Sequence, residues 1–189
     1  MFTPIHRALG AEPSEVNKEL LKKAVEQSVR ESSDLDWKKS FYHSSKQGWM
    51  DEAAKDLAAM ANSGGGWIVF GVQEDQYSES AAEITPIRWS KVEQQKLLQV
   101  SYARVSPGLV GIEFTEVEFE EGSVVLVRVP DSPDAPHFAR KGDNAFTAPR
   151  RNGPHTVYMS EREIERGFRE RFQKRDFREE HIQEHLQHA

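Results

Sequence analysis

Residues 56–72 constrain this chain more than any other stretch: a helix ends at Ala61-Asn62, passes through Ser63-Gly64-Gly65-Gly66, and enters Trp67-Ile68-Val69-Phe70-Gly71-Val72. The helix reads back to Met50, with Met50, Ala53, Ala54, Leu57 and Ala61 on one face, small enough to lie close against a sheet. The apolar run after it is continuous rather than alternating, the mark of a central strand covered on both faces. The order of the elements also bears on function. Phosphate-cradling loops run strand, glycines, helix, so that the ligand meets free N–H groups at a helix N-terminus. Here the glycines follow a helix C-terminus, where glycine in the left-handed conformation closes the last turn. No G-x-x-x-x-G-K-[ST] match accompanies them. They are read as a cap, not a nucleotide loop.

Around this segment the pattern predicts an extended lead-in over residues 1–12 and a helix over residues 13–29, with Val16, Leu20, Leu21, Ala24 and Val25 as its buried stripe. Residues 35–39 read as a short strand, Leu35 and Trp37 on one side, Asp36 and Lys38 on the other. Residues 41–49 and the acidic, serine-rich residues 73–82 read as loops, and residues 90–104 as a helix. Residues 111–120 alternate, with a slip at Thr115-Glu116 that predicts a bulge, and turn at Glu121-Gly122 into residues 124–129 as a hairpin. A further strand falls at residues 145–148, a turn at Asn152-Gly153-Pro154, and Ser160 with Glu163 forms a capping box that opens a last, polar helix. The sum is an α+β fold, a mixed, mainly antiparallel sheet packed with helices in two layers. Its expected divisions are an N-terminal extension and helix (1–27), the domain proper (28–168) and a polar C-terminal helix or tail (169–189).

Charge narrows the partners. A net charge of −6 on 189 residues argues against a protein that coats nucleic acid nonspecifically. One local stretch runs the other way: Arg140, Lys141, Arg150 and Arg151 face only Asp143 between His137 and His155. It is either a solvated loop and strand edge or a phosphate-facing surface. With no cysteine, disulfides and thiolate zinc sites are excluded, which fits a reduced, cytoplasmic setting. No apolar run is long enough to span a bilayer. His181, His185 and His188 sit at helical spacing, but at a polar terminus with no fixed third ligand they are read as incidental.

The carboxylates carry the sharper hypothesis. Glu31 and Asp36 flank the entry to the first strand, with Lys38 on the face of Asp36; Glu74 and Asp75 lie just past the central strand. If those strands pair, Glu31, Asp36 and Glu74 or Asp75 converge. Such hard oxygen donors could hold Mg2+ or Mn2+ beside a phosphodiester, with Lys38 offsetting its charge. The alternative is a set of solvated strand-end acids.

Three pieces together resemble the Schlafen/AlbA-like domain family, also called divergent AAA. They are Glu31 with Asp36-Trp37-Lys38, the Ala59-Met60-Ala61-Asn62-Ser63-Gly64-Gly65 helix end, and the strand ending Gly71-Val72-Gln73-Glu74-Asp75. Arg150-Arg151-Asn152-Gly153 and Ser160-Glu161-Arg162-Glu163-Ile164 resemble the family's closing element. The resemblance implies an α+β domain that binds DNA or RNA, with a regulatory or defence-related role. It also implies a homodimer restoring a two-lobed groove. In vertebrate Schlafens a three-carboxylate site cleaves tRNA or rRNA with a divalent metal. Carried over, that site is Glu31, Asp36 (an aspartate where the family has glutamate) and Glu74 or Asp75, with Lys38 beside it. Phosphate contacts would come from Lys38, Arg140, Lys141, Arg150 and Arg151. Three readings follow: a nucleic-acid-binding module, a metal-dependent RNase, and a protein-interaction module that uses the C-terminal helix.

Overall fold

A computed structural model describes residues 1–43 and 45–187 of the chain, with side-chain surroundings through residue 174. The central sheet has the order β1-β2-β7-β6, formed by β1 (Leu35–Lys38), β2 (Gly66–Phe70), β6 (Glu113–Phe119) and β7 (Gly122–Val129). Only the β1–β2 pair is parallel, in register Leu35↔Trp67 through Lys38↔Phe70; β2–β7 and β7–β6 are antiparallel. Three smaller sheets surround it. They are the hairpin of β3 (Val72–Asp75) and β4 (Ser80–Ile84), the ribbon of β5 (Val105–Ser106), β8 (Phe138–Lys141) and β9 (Ala145–Thr147), and the hairpin of β10 (Pro149–Asn152) and β11 (His155–Tyr158).

β2 sits mid-sheet, as its unbroken apolar run requires, and its two faces join different cores. Ile68 and Phe70 pack with Val125 and Val127 under α3 (Trp49–Ala61) and α4 (Lys91–Ala103). Trp67 and Val69 pack with Leu35, Trp37 and Leu126 under α2 (Lys18–Glu26) and Ile5 of α1 (Pro4–Leu9). Helices therefore cover both faces. The last helix, α5 (Glu161–Gln187), opens on the expected capping box: Glu163 takes the Ser160 N–H at 2.8 Å. His181, His185 and His188 lie outside the residues whose side chains are described.

Four expectations change. The lead-in is helical where Thr3 and His6 cap each other: Thr3 Oγ1 accepts the His6 N–H and His6 Nδ1 accepts that of Thr3. The second helix starts not at Pro13 but at Lys18, because Asn17 Oδ1 accepts the Leu20 N–H at 2.9 Å. The expected loop over residues 73–82 is the β3–β4 hairpin, whose turn is organised by its own acid: Asp75 Oδ1 takes the N–H groups of Tyr77 and Ser78. The bulge expected at Thr115-Glu116 is absent, since β6 pairs without a break from Glu113↔Arg128 to Phe119↔Gly122; an irregularity lies instead between Gln73 and Glu74. No helix among the described residues is long and apolar enough to cross a membrane.

Candidate functional site

Parallel pairing of β1 on β2 sends Leu35 and Trp37 into one core and leaves Asp36 and Lys38 on the side of α3. There Lys38 Nζ meets two carboxylates, Asp36 Oδ2 at 2.9 Å and Asp56 Oδ2 at 3.0 Å. Asp56, on α3, also accepts the Tyr42 hydroxyl at 2.8 Å and lies 3.4 Å from Lys55. Glu31 is fixed ahead of β1 by its backbone, whose N–H donates to Glu79 O at 2.7 Å, and by its side chain, where Oε1 accepts the Trp37 N–H at 2.7 Å.

The fourth arm is Arg151 of β10. Its Nη1 lies 2.8 Å from Asp36 Oδ1 and its Nη2 3.4 Å from Glu31 Oε2, with the residue only 8% exposed. What puts it there is the end of α3 at Asn62-Ser63. Ser63 Oγ accepts the Arg151 N–H at 2.8 Å, while Asn62 Nδ2 donates to Pro149 O and His137 O, both at 2.8 Å, and Asn62 Oδ1 accepts the His137 N–H at 2.7 Å. Asn62 and Ser63 thus staple β8 and β10 to the end of α3 and set the register that brings Arg151 onto the acids. A cavity of about 510 Å3 opens over this cluster, lined by Glu31, Asp36, Lys38, Asp56, Glu74 and Arg151 among others.

The structure therefore brings Glu31, Asp36, Glu74 and Lys38 together and leaves Asp75 out, its carboxylate spent on the hairpin turn. Glu74 lines the cavity over the cluster and Asp75 does not, because the Asp75 carboxylate is turned onto the N–H groups of Tyr77 and Ser78. Sequence reasoning missed Asp56, Tyr42 and Lys55. The available signal was an acid placed directly before Leu57 in an alanine-rich helix that buries most of its surface.

Crowded carboxylates shift one another. Burial, then the charge of Asp36, and further that of Glu74, push the Glu31 carboxyl up to about 8, against the pull of the Trp37 N–H and Arg151. Burial opposes the Asp56 carboxylate, but Lys38 and Lys55 outweigh it and hold its pKa below the ordinary value. Burial likewise opposes the Lys38 ammonium, and Asp56 and Asp36 outweigh it upward. Near neutral pH Glu31 keeps its proton, while Asp36 and Asp56 face Lys38, Lys55 and Arg151. Because the folded state binds the Glu31 proton more tightly than the unfolded chain, its stabilising contribution is whole below the ordinary value of 4.5 and is lost as pH rises through about 8. Glu31→Gln stays neutral throughout. Its melting temperature relative to wild type should therefore move upward between about pH 5 and about pH 9. Thermal unfolding across that range checks this, and a constant difference would rule out the raised carboxyl.

The donors do not fit a divalent ion as they stand. Both Glu31 oxygens and both Asp36 oxygens already face an N–H group or a cation. Among the described residues no group of three His, Cys, Asp or Glu side chains is placed to hold a metal ion. Of the expected phosphate contacts, Lys38 and Arg151 turn inward onto acids, and Arg150 pairs with Glu163 at 2.8 Å. Arg140 and Lys141 differ: the Arg140 guanidinium lies over the exposed Phe146 ring at 5.9 Å, and Lys141 is exposed beside it on β8.

Comparison with known proteins places this geometry. A family model described as "Schlafen, AlbA_2" matches residues 31–160, which takes in every arm of the cluster. No curated protein matches the chain in sequence. Among solved structures, the chain is similar to the N-terminal domain of a putative ATP-dependent DNA helicase RecG-related protein from Nitrosomonas europaea. The two are 14% identical with a TM-score of 0.48, over 66% of this chain and 80% of that one. It is also similar to the DIP2311 protein from Corynebacterium diphtheriae, 14% identical with a TM-score of 0.44, over 74% of this chain and 25% of that one.

Proposed function

We propose that this chain, which belongs to the Schlafen, AlbA_2 family, is a nucleic-acid-binding module. The observation that carries the reading is the β8–β9 hairpin. It presents Arg140 against the face of Phe146, which is 58% exposed, with Lys141 exposed as the next residue of the strand, and neither cation is paired with an acid among the described residues. A guanidinium over an exposed ring suits a phosphate backbone and its bases, and Lys141 adds a second exposed cation to the same hairpin. The turn of this hairpin is anchored: Gly142 N–H donates to Asp51 Oδ2 at 2.7 Å, and Arg104 meets Asp51 Oδ1 at 3.1 Å. A homodimer belongs to the same proposal, since a second copy would double the surface.

The metal-dependent RNase reading has one observation in its favour, the convergence of Glu31, Asp36 and Glu74 on one cavity. Against it stands the occupation of those oxygens by Arg151, Lys38 and the Trp37 N–H. The cluster is therefore read as structural, holding β1, α3 and β10 together.

Fluorescence anisotropy with a labelled oligonucleotide tests the binding reading. Affinity should fall steeply with added salt, and Lys141→Ala should make the slope of log affinity on log salt shallower by about 0.7 to 0.9, the value of one phosphate contact. An unchanged slope would remove Lys141 from the interface.

A further inference from the structure

We propose that the open cavity beside the carboxylate cluster takes an unpaired nucleobase, which makes single-stranded nucleic acid the ligand class; the proposal rests on the nucleic-acid-binding reading above. The cavity, of about 650 Å3, is lined by Lys39, Phe41, Trp49, Gln73, Gln76 and Tyr77 among others, and it borders the cluster, since Lys38 and Glu74 line both spaces.

Its walls match a base better than a phosphate. Tyr77 stands at the tip of the β3–β4 hairpin, 99% exposed, yet on a turn that is fixed from behind by Asp75 Oδ1, which accepts the Tyr77 and Ser78 N–H groups at 3.0 and 2.8 Å. Trp49 is the first residue of α3, half-buried and packed on the core, and it lines the cavity. Gln73 and Gln76 each carry a donor and an acceptor for a base edge. Of the three acids on its walls, Asp75 is spent on its turn and Glu52 lies 4.0 Å from Lys46, while Glu74 meets no cation among the described residues and so favours a neutral base over a phosphate there. Lys39, exposed at the end of β1, supplies a cation at the rim.

Position joins this cavity to the proposed backbone contact. Asp51, which ties down the β8–β9 turn through the Gly142 N–H, lies in the first turn of α3, directly after Trp49 and Met50. The hairpin and the cavity are therefore both anchored at the first turn of α3, the hairpin through Asp51 and the cavity through Trp49. A base inside a duplex is stacked and paired, and could enter only by flipping out; an unpaired base needs no such opening. Stacking on aromatic side chains is tolerant of sequence, so no base preference is implied.

The test compares a fluorescein-labelled oligouridylate with an RNA duplex of equal length, using the full chain and its Tyr77→Ala and Tyr77→Phe variants. Tyr77 is solvent-exposed, so the fold should be unaffected, and the melting temperature verifies that. The proposal expects Tyr77→Ala to weaken oligouridylate binding about tenfold, in line with the loss of one stacked base, with duplex binding unchanged and Tyr77→Phe close to wild type. Tight duplex binding with equal or weaker oligouridylate binding, or full affinity in Tyr77→Ala, overturns the cavity as a base site while leaving the binding module standing. No binding of either probe at low salt overturns both.

Discussion

Replacing Arg151 with methionine is expected to destabilise the fold by about 3 kcal/mol, the range found when one partner of a buried ion pair is removed. Methionine fills a similar space, so the loss is electrostatic rather than a cavity. What remains is Asp36, 6% exposed, with Lys38 as its one close cation among the described residues, and Lys38 is already shared with Asp56. For a chain of this size each kcal/mol moves the melting temperature by about 2–4 °C, so a drop of about 6–12 °C is expected. Arg151→Met combined with Asp36→Asn should recover part of it, because the double variant no longer buries an undercompensated carboxylate. A single variant that melts within about a degree of wild type would mean that Arg151 does not hold the cluster.

Gly65→Ala should be nearly as damaging, and for a different reason. Gly65 has φ +84°, and an added Cβ would lie 2.6 Å from the Asp131 backbone nitrogen and 2.7 Å from the Val129 carbonyl oxygen. Backbone must move to admit it. Strain in the left-handed region and overpacking together predict a cost of about 2–5 kcal/mol. Gly64 is the control: its φ is +89°, but nothing lies within 4 Å of an added Cβ, so Gly64→Ala should cost only about 1 kcal/mol. Urea midpoints for the pair measure the difference. Equal losses would mean that β7 does not pass against Gly65 as closely as the structure places it.

These two residues show how much was legible. The α3–β2 segment could be read because periodicity, glycine position and a continuous apolar run agree with one another, and the structure keeps all three. Its role was not legible. Gly64-Gly65-Gly66 looked like a cap for a helix, whereas Asn62 and Ser63 turn the same corner into the staple for β8 and β10. Arg151 read as a phosphate contact because it follows Arg150 in a basic stretch; only the register set by Ser63 reveals that it points inward. Asp56 escaped notice because an acid in a helix is ordinarily exposed, and its burial depends on Lys38 and Tyr42 from distant parts of the chain. Glu74 was not separable from Asp75 in a stretch that reads as a loop; what separates them is the β3–β4 turn, where Asp75 takes the N–H groups of Tyr77 and Ser78. The short α1 was not, since six residues give no periodicity to detect and only the pairing of Thr3 with His6 marks its start.

The central claim is that the chain binds nucleic acid as a module and that Arg151 and Lys38 are the resident cations of its carboxylate cluster. The most direct measurement is a titration of labelled single-stranded RNA with the wild-type chain, once in EDTA and once in Mn2+, with the RNA then examined on a denaturing gel. The predicted result is the same salt-sensitive isotherm in both buffers and intact RNA in both. Cleavage confined to Mn2+, or binding that requires it, would contradict the assignment of Arg151 and Lys38, and no binding at low salt would contradict the module itself.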